Sequence, residues 1–144
     1  MKTILAPVDF SRITDAVVDQ AVKLAKAIDA RVVFLAVIQP PVVMSEYAAM
    51  IDIAELTTTG EKHAARQLEA IEQKVKSRSV STEAVRIVGS PVTHIVEHAA
   101  KYAADYIVMG SHGHTAFYDL LVGSTTHGVL NRARCPVVIV PAAK

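Results

Sequence analysis

Residues 30–38, ARVVFLAVI, form a run of nine residues that is almost entirely apolar. A run of this length is typical of a strand, and it is near-continuous rather than alternating. Strands of this kind are covered on both faces, as in a parallel sheet. Four further runs of strand length occur along the chain: KTILAPV (2–8), TEAVRIV (82–88), ADYIVMG (104–110) and CPVVIVP (135–141).

Helical patterns separate these runs. Ser11 is the expected N-cap of the first helix, and Ser90 with Pro91 gives the third helix a strong start. The alternation of strands and helices predicts an α/β fold: a single open five-stranded parallel sheet with helices on both faces, a Rossmann-like three-layer sandwich. The predicted helices cover residues 11–29, about 61–78, 90 onward, and 124 to about 133.

Size, charge and cysteine content limit the class of protein. The 144 residues, 51% of them apolar, predict one domain over residues 1–144 with a sizeable core. A net charge of +1, with scattered basic residues, argues against nucleic acid as a partner. The single Cys135 excludes an internal disulfide, and no apolar stretch is long enough to cross a bilayer. We therefore expect a cytoplasmic protein with no membrane partner.

Two segments predict a ligand site at one edge of the sheet. APVDFS (6–11) follows the first strand, and MGSHGHTAFYDLLVGST (109–125) follows the fourth. Ligands of open α/β sheets bind outside the carboxyl ends of the strands, so the two segments share a crevice if these strands are neighbours. Asp9 could accept a hydrogen bond from a ribose hydroxyl, and the backbone around Val37 and Ile38 could flank a base.

Three glycines stand at fixed offsets in the second segment. Two residues separate Gly110 from Gly113, nine separate Gly113 from Gly123, and Ser124 and Thr125 follow at once. Glycine permits close backbone approach and positive φ, and a helix N-terminus favours phosphate. The spacing alone supports a phosphate site and a purely structural loop about equally.

Other motifs favour ordinary structural roles. His94 and His98 are one helical turn apart but lie opposite the apolar face, so we expect a solvated face and no metal site. Cys135 is expected to be a buried structural thiol. The chain lacks G-x-x-x-x-G-K-[S/T] and lacks G-x-G-x-x-G after its first strand, which argues against P-loop and NAD-type sites.

Three features together resemble the universal stress protein family over essentially the whole chain: PVDFS, the three-glycine pattern completed by Ser124, and CPVVIVP. The glycine pattern is similar to that of the family's nucleotide-binding branch. The resemblance implies the sheet order 3-2-1-4-5 and an adenine nucleotide, ATP or AMP, with Mg²⁺ possible beside ATP. It also implies a homodimer or larger assembly through the terminal strand Val137–Val140, an apolar edge.

Carrying the family's roles over by position gives each segment a part in the site. Asp9 would hold the ribose or phosphate side, and Ala6, Pro7 and Ile38 would line the adenine pocket. His114 stands where many relatives carry Arg, which leaves the phosphate preference and the pH response open. The binding residues expected are Ala6, Pro7, Val8, Asp9, Val37, Ile38, Met109, Gly110, Ser111, His112, Gly113, His114, Gly123, Ser124 and Thr125.

These expectations favour a regulatory stress-response module that binds a nucleotide. No residue resembles a strong hydrolytic base, so turnover should be slow or absent, and we assign no catalytic residue. One alternative is a weak ATPase or self-phosphorylating enzyme with Ser124 or another loop hydroxyl as acceptor. Another is a nucleotide-free interaction dimer in which the glycines are only structural.

Overall fold

The computed structural model describes residues 1–40, 52–113 and 122–142. Five parallel strands form one sheet in the order β3-β2-β1-β4-β5, which confirms the predicted fold class and strand order. The elements are β1 (Lys2–Pro7), α1 (Thr14–Ile28), β2 (Ala30–Ile38), α2 (Ile53–Lys76), β3 (Thr82–Val88), α3 (Pro91–Lys101), β4 (Tyr106–Gly110), α4 (Ser124–Arg132) and β5 (Val137–Val140).

The near-continuous apolar run of β2 is explained by cover on both faces of the sheet. Val32, Phe34 and Ala36 face one hydrophobic cluster, while Val33 and Leu35 face the other. All five side chains are buried. α1 and α2 contribute to the first cluster through residues such as Val17 and Leu68, and α3 and α4 contribute to the second through Ile95 and Val129.

The start of α1 differs from the sequence prediction. Ser11 is not its N-cap: the helix begins at Thr14, and Ile13 occupies the cap position without a side-chain hydrogen bond. Asp9 Oδ1 accepts a hydrogen bond from the Ser11 N–H at 3.0 Å, and Phe10 has a φ of 63°. The chain therefore makes a tight turn over residues 9–11 before the helix begins. Ser11, the predicted N-cap, belongs to this turn.

α2 begins eight residues before the predicted start at Glu61. Asp52 caps it by accepting a hydrogen bond from the Glu55 N–H at 3.0 Å. The hydroxyl groups of Thr57, Thr58 and Thr59 donate to backbone carbonyls four residues earlier. Regular helix therefore already covers residues 53–60, and residues 41–51 lie outside the described residues.

The remaining elements agree closely with prediction. α3 begins at Pro91 after Ser90, as expected, although Ser90 makes no side-chain cap hydrogen bond. α4 begins immediately after Gly123. β4 and β5 are each shorter than the apolar runs that predicted them, starting at Tyr106 and Val137. These strands place the loops after β1 and β4 beside each other, because β1 and β4 are paired.

Candidate functional site

A cavity of about 390 Å³ opens at the carboxyl ends of the central strands. Its volume lies within the range of small-molecule sites. β1, β2 and β4 supply one part of the wall, and the first turn of α4 supplies another. The predicted site residues that line it are Pro7, Val8, Asp9, Val37, Ile38, Met109, Gly110, His112, Gly113, Gly123, Ser124 and Thr125.

The loops after β1 and β4 meet inside this cavity. A Cβ placed on Gly113 would collide with Asp9 Oδ2, so the loop backbone lies directly against the carboxylate. Asp9 is exposed, and its other oxygen accepts the Ser11 N–H. A ligand in the crevice would thus meet a carboxylate and a glycine backbone at the same point.

The first turn of α4 presents backbone N–H groups to the cavity. The first described helical bond runs from the His127 N–H to the Gly123 carbonyl, 2.9 Å away, so the amides of Ser124 and Thr125 precede it. N–H groups in this position have no intrahelical acceptor, and they favour an anion. The Gly123 N–H itself donates to the Ser111 carbonyl at 2.7 Å. An anion at this helix end would therefore meet the amides of Ser124 and Thr125 rather than that of Gly123.

Two predicted site residues lie behind the cavity wall. Ala6 is fully buried in the core. Ser111 is also buried, and its Oγ lies 2.9 Å from Nδ1 of His112, which does line the cavity. Ser111 thus lies behind the cavity wall, within hydrogen-bond distance of the histidine ring. His114 is outside the described residues.

The conformational reason suggested for the glycines is not the one observed. Among the described glycines, Gly89 has a positive φ, whereas Gly110, Gly113 and Gly123 do not. A Cβ on Gly110 would come within 2.9 Å of Ile13 Cγ2, and a Cβ on Gly113 would meet Asp9. At these two positions it is close approach of neighbouring groups that disfavours a side chain.

The segment before α1, α1 itself and α2 add lining residues that were not among the predicted site residues. Phe10, Thr14 and His63 line the cavity, together with Gly60 and Ala64. The hydroxyl of Thr14 is buried and has no hydrogen-bond partner among the described residues. The segments are distant in sequence and carry no motif, so only the packing of the helices against the sheet brings them together.

The histidine pair of α3 is less exposed than predicted. His98 is buried, its Nδ1 lies 2.7 Å from the His94 carbonyl, and its ring stacks on Tyr102. Because a carbonyl oxygen only accepts, His98 Nδ1 carries the proton. His94 lies 3.6 Å from a Glu97 oxygen. Within residues 1–40, 52–113 and 122–142 there is no cluster of three or more side chains suited to hold a metal ion.

Cys135 is half-buried rather than buried as predicted, and it packs beside the second hydrophobic cluster. Burial raises the pKa of its thiol, and the negative charge of Asp105 raises it further. A raised pKa leaves less thiolate at neutral pH, so the thiol is a weak nucleophile in the folded chain.

Comparison with known proteins agrees with the fold and the motifs. Residues 1–141 match the universal stress protein family. The chain belongs to this family. Universal stress protein MJ0531 of Methanocaldococcus jannaschii is 30% identical over 145 residues, which cover 99% of this chain and 84% of the relative. The structure of universal stress protein UspA from Lactobacillus plantarum superposes with a TM-score of 0.86 at 26% identity, covering 96% of this chain and 97% of that one.

Other universal stress proteins of this fold have been solved with adenine nucleotides. One in complex with cAMP has a TM-score of 0.69 at 24% identity and covers 99% of this chain and 98% of its own. One from Archaeoglobus fulgidus in complex with dAMP has a TM-score of 0.63 at 18% identity and covers 96% of each chain. At these identities the likeness establishes the shared fold. In the described part of this chain, no helix has the length and apolarity needed to cross a membrane.

Proposed function

We propose that this universal stress protein binds an adenine nucleotide, ATP or AMP, in the cavity at the carboxyl ends of its strands. The observation that carries the proposal is the convergence of three kinds of group on one cavity: the Asp9 carboxylate, the apolar end of β2, and the first-turn amides of α4. These groups suit a ribose, a base and a phosphate respectively. The family neighbours that hold cAMP and dAMP support an adenine nucleotide.

The proposed arrangement assigns one segment to each part of the nucleotide. The base lies between Pro7 and the backbone of Val37 and Ile38, and Asp9 accepts a hydrogen bond from the ribose. Residues 109–113 pass beside the ribose and phosphates, and Ser124 and Thr125 cap the phosphates. Asp9 is the one carboxylate among the described lining residues, which fits a Mg²⁺ ion held mainly by ATP phosphates and water.

The proposed role is regulatory, with slow or no hydrolysis of ATP, as a single domain in the cytoplasm. Ser111 supports a link between the site and the sheet edge. Its N–H donates to the Val140 carbonyl at 2.8 Å, and its Oγ accepts from the Ala142 N–H at 3.2 Å. Its carbonyl accepts from Gly123. A ligand that shifts the loop or α4 would therefore also act on the end of β5.

The bound nucleotide can be identified directly. The protein is purified without added nucleotide and denatured, and the supernatant is separated by anion exchange. Near-stoichiometric ATP or AMP is expected, and ATP would agree with slow turnover. An empty eluate, followed by no heat on titration with ATP or AMP, would refute the proposed function. A further assay supplies labelled ATP. Phosphate released from it, or incorporated into the protein, at a level well above that of a Gly123→Val control would instead identify an enzyme.

A further inference from the structure

The turn of α2 that carries Gly60 and His63 lies at the base end of the cavity. A Cβ on Gly60 would stand 3.2 Å from Ile38 Cγ2, so this turn packs against the last residue of β2. His63 follows one turn later and lines the same cavity. Ala64 beside it is buried in the core, whereas His63 is exposed. The imidazole therefore stands at the cavity wall, above the strand end that the proposed function gives to the base.

The ring of Phe10 lies against this imidazole. The two rings meet edge to face, with centroids 5.9 Å apart and planes at 89°. Phe10 has a φ of 63°, in the left-handed region that bulky residues rarely occupy. The Ser11 N–H bonded to Asp9 closes the turn that holds this conformation. Backbone strain of this kind persists where the surrounding structure maintains it, and it concentrates at ligand sites.

We propose that His63 is a binding residue that stacks on the nucleotide base, and that Phe10 is the positioning residue that holds its ring. An edge-to-face contact with Phe10 uses at most one face of the imidazole, which leaves the other for a planar ligand. Aromatic side chains that stack on a base strengthen binding without requiring a particular hydrogen-bond pattern. This assignment rests on the proposed function, because it requires a nucleotide in the cavity.

The test measures ATP and adenosine affinity in the intact protein by calorimetry. His63→Ala should weaken ATP and adenosine by the same factor, about tenfold, because a base contact does not involve phosphate. His127→Ala is the matched control, since it removes an exposed imidazole that lies outside the cavity wall. An unchanged ATP affinity in His63→Ala would overturn the inference. So would a loss seen with ATP but not with adenosine, which would place His63 at the phosphates.

Phe10→Leu separates positioning from general packing. It keeps the apolar volume but removes the ring, so ATP and adenosine should both weaken several-fold in the otherwise unchanged protein. In the His63→Ala background the same substitution should have little further effect, because the ring it positions is already gone. Additive losses in the double variant would contradict the positioning role. If the unaltered protein binds ATP but His63→Ala and Phe10→Leu do not show the expected losses of affinity, the proposed function stands and this inference fails.

Discussion

Gly110, Gly113 and Gly123 differ in what a side chain would meet. At Gly110 a Cβ would lie 2.9 Å from Ile13 Cγ2, 3.0 Å from Ile13 Cδ1 and 3.2 Å from the His112 carbonyl. At Gly113 it would meet Oδ2 at the end of the exposed Asp9 side chain rather than backbone. At Gly123 the nearest atoms are 3.5 Å distant, an ordinary contact. The three glycines therefore share a sequence pattern but not a physical role.

Substitution should separate the structural role of Gly110 from the proposed ligand contacts of Gly113 and Gly123. Gly110→Ala should lower the free energy of unfolding by about 1–3 kcal/mol, because it overpacks Ile13 and the backbone. Gly113→Val and Gly123→Val should keep the fold but abolish ATP binding, because their side chains occupy the approach to the phosphates. Urea denaturation and ATP titration measure the two effects. A Gly123→Val protein that binds ATP like the parent would show that the phosphates lie elsewhere.

The thiol of Cys135 provides a test at a site remote from the cavity. Burial, and then Asp105, raises its pKa, so the folded chain should hold less thiolate at pH 7 than the unfolded chain. Alkylation should be slow at neutral pH and should reach half its maximal rate at a higher pH than in urea. Asp105→Asn should move that midpoint down slightly. A midpoint equal in the folded and unfolded chains would disprove the raised pKa.

α4 packs closely against α3. A Cβ on Gly128 would stand 2.8 Å from Val92 Cγ2 and 3.2 Å from Cγ1, so the two helices approach closely at this glycine. The N-terminus of α4 faces the cavity. Its placement relative to the cavity therefore depends on a contact one turn further along the helix.

Gly128→Ala should displace α4 from α3. We expect a loss of about 1–2 kcal/mol in the free energy of unfolding and a weaker affinity for ATP, because the first-turn amides move. Val92→Ala should restore both quantities when it is combined with Gly128→Ala, since it removes the colliding methyl groups. Denaturation and calorimetry on the four proteins of this cycle supply the measurement. A double variant as impaired as the sum of the single ones would show that this contact does not position α4.

The sequence predicted which elements exist better than it predicted where they begin. Apolar runs identified all five strands because both sheet faces are covered. The start of α2 was missed because three threonines and Gly60 disfavour helix locally, whereas Asp52 caps it and the hydroxyls bond within it. The start of α1 was misplaced because Asp9 holds a turn before it. The motif predicted the loop side of the cavity, but the α2 wall depends on tertiary packing.

β3 and β5 are the two edges of the sheet. The Ile107 N–H bonds to the Pro136 carbonyl and the Ser111 N–H to the Val140 carbonyl. Backbone groups alternate in direction along a parallel strand. The N–H and C=O of Val138 therefore also point toward β4, and those of Val137 and Ile139 point outward, away from the sheet. These residues are only half-buried in the single chain. Among the described residues no further strand pairs with this apolar edge, and an edge of this kind favours pairing with a second copy.

The proposed homodimer through Val137–Val140 makes a prediction about mass. Light scattering at micromolar concentration should give twice the mass of one chain or more. Ile139→Pro should shift the population toward monomer, because it removes an outward N–H while leaving the bonds to β4 in place. Circular dichroism checks that the variant stays folded. A monomeric parent protein would contradict the proposed assembly.

We propose above all that the cavity at the strand ends binds an adenine nucleotide. Calorimetric titration of ATP with Mg²⁺ into nucleotide-free protein tests it most directly, with Gly123→Val as the comparison. We predict one site per chain in the parent and no measurable heat in the variant, with both proteins equally folded. No binding of ATP or AMP by the parent, or equal binding by both proteins, would contradict the account.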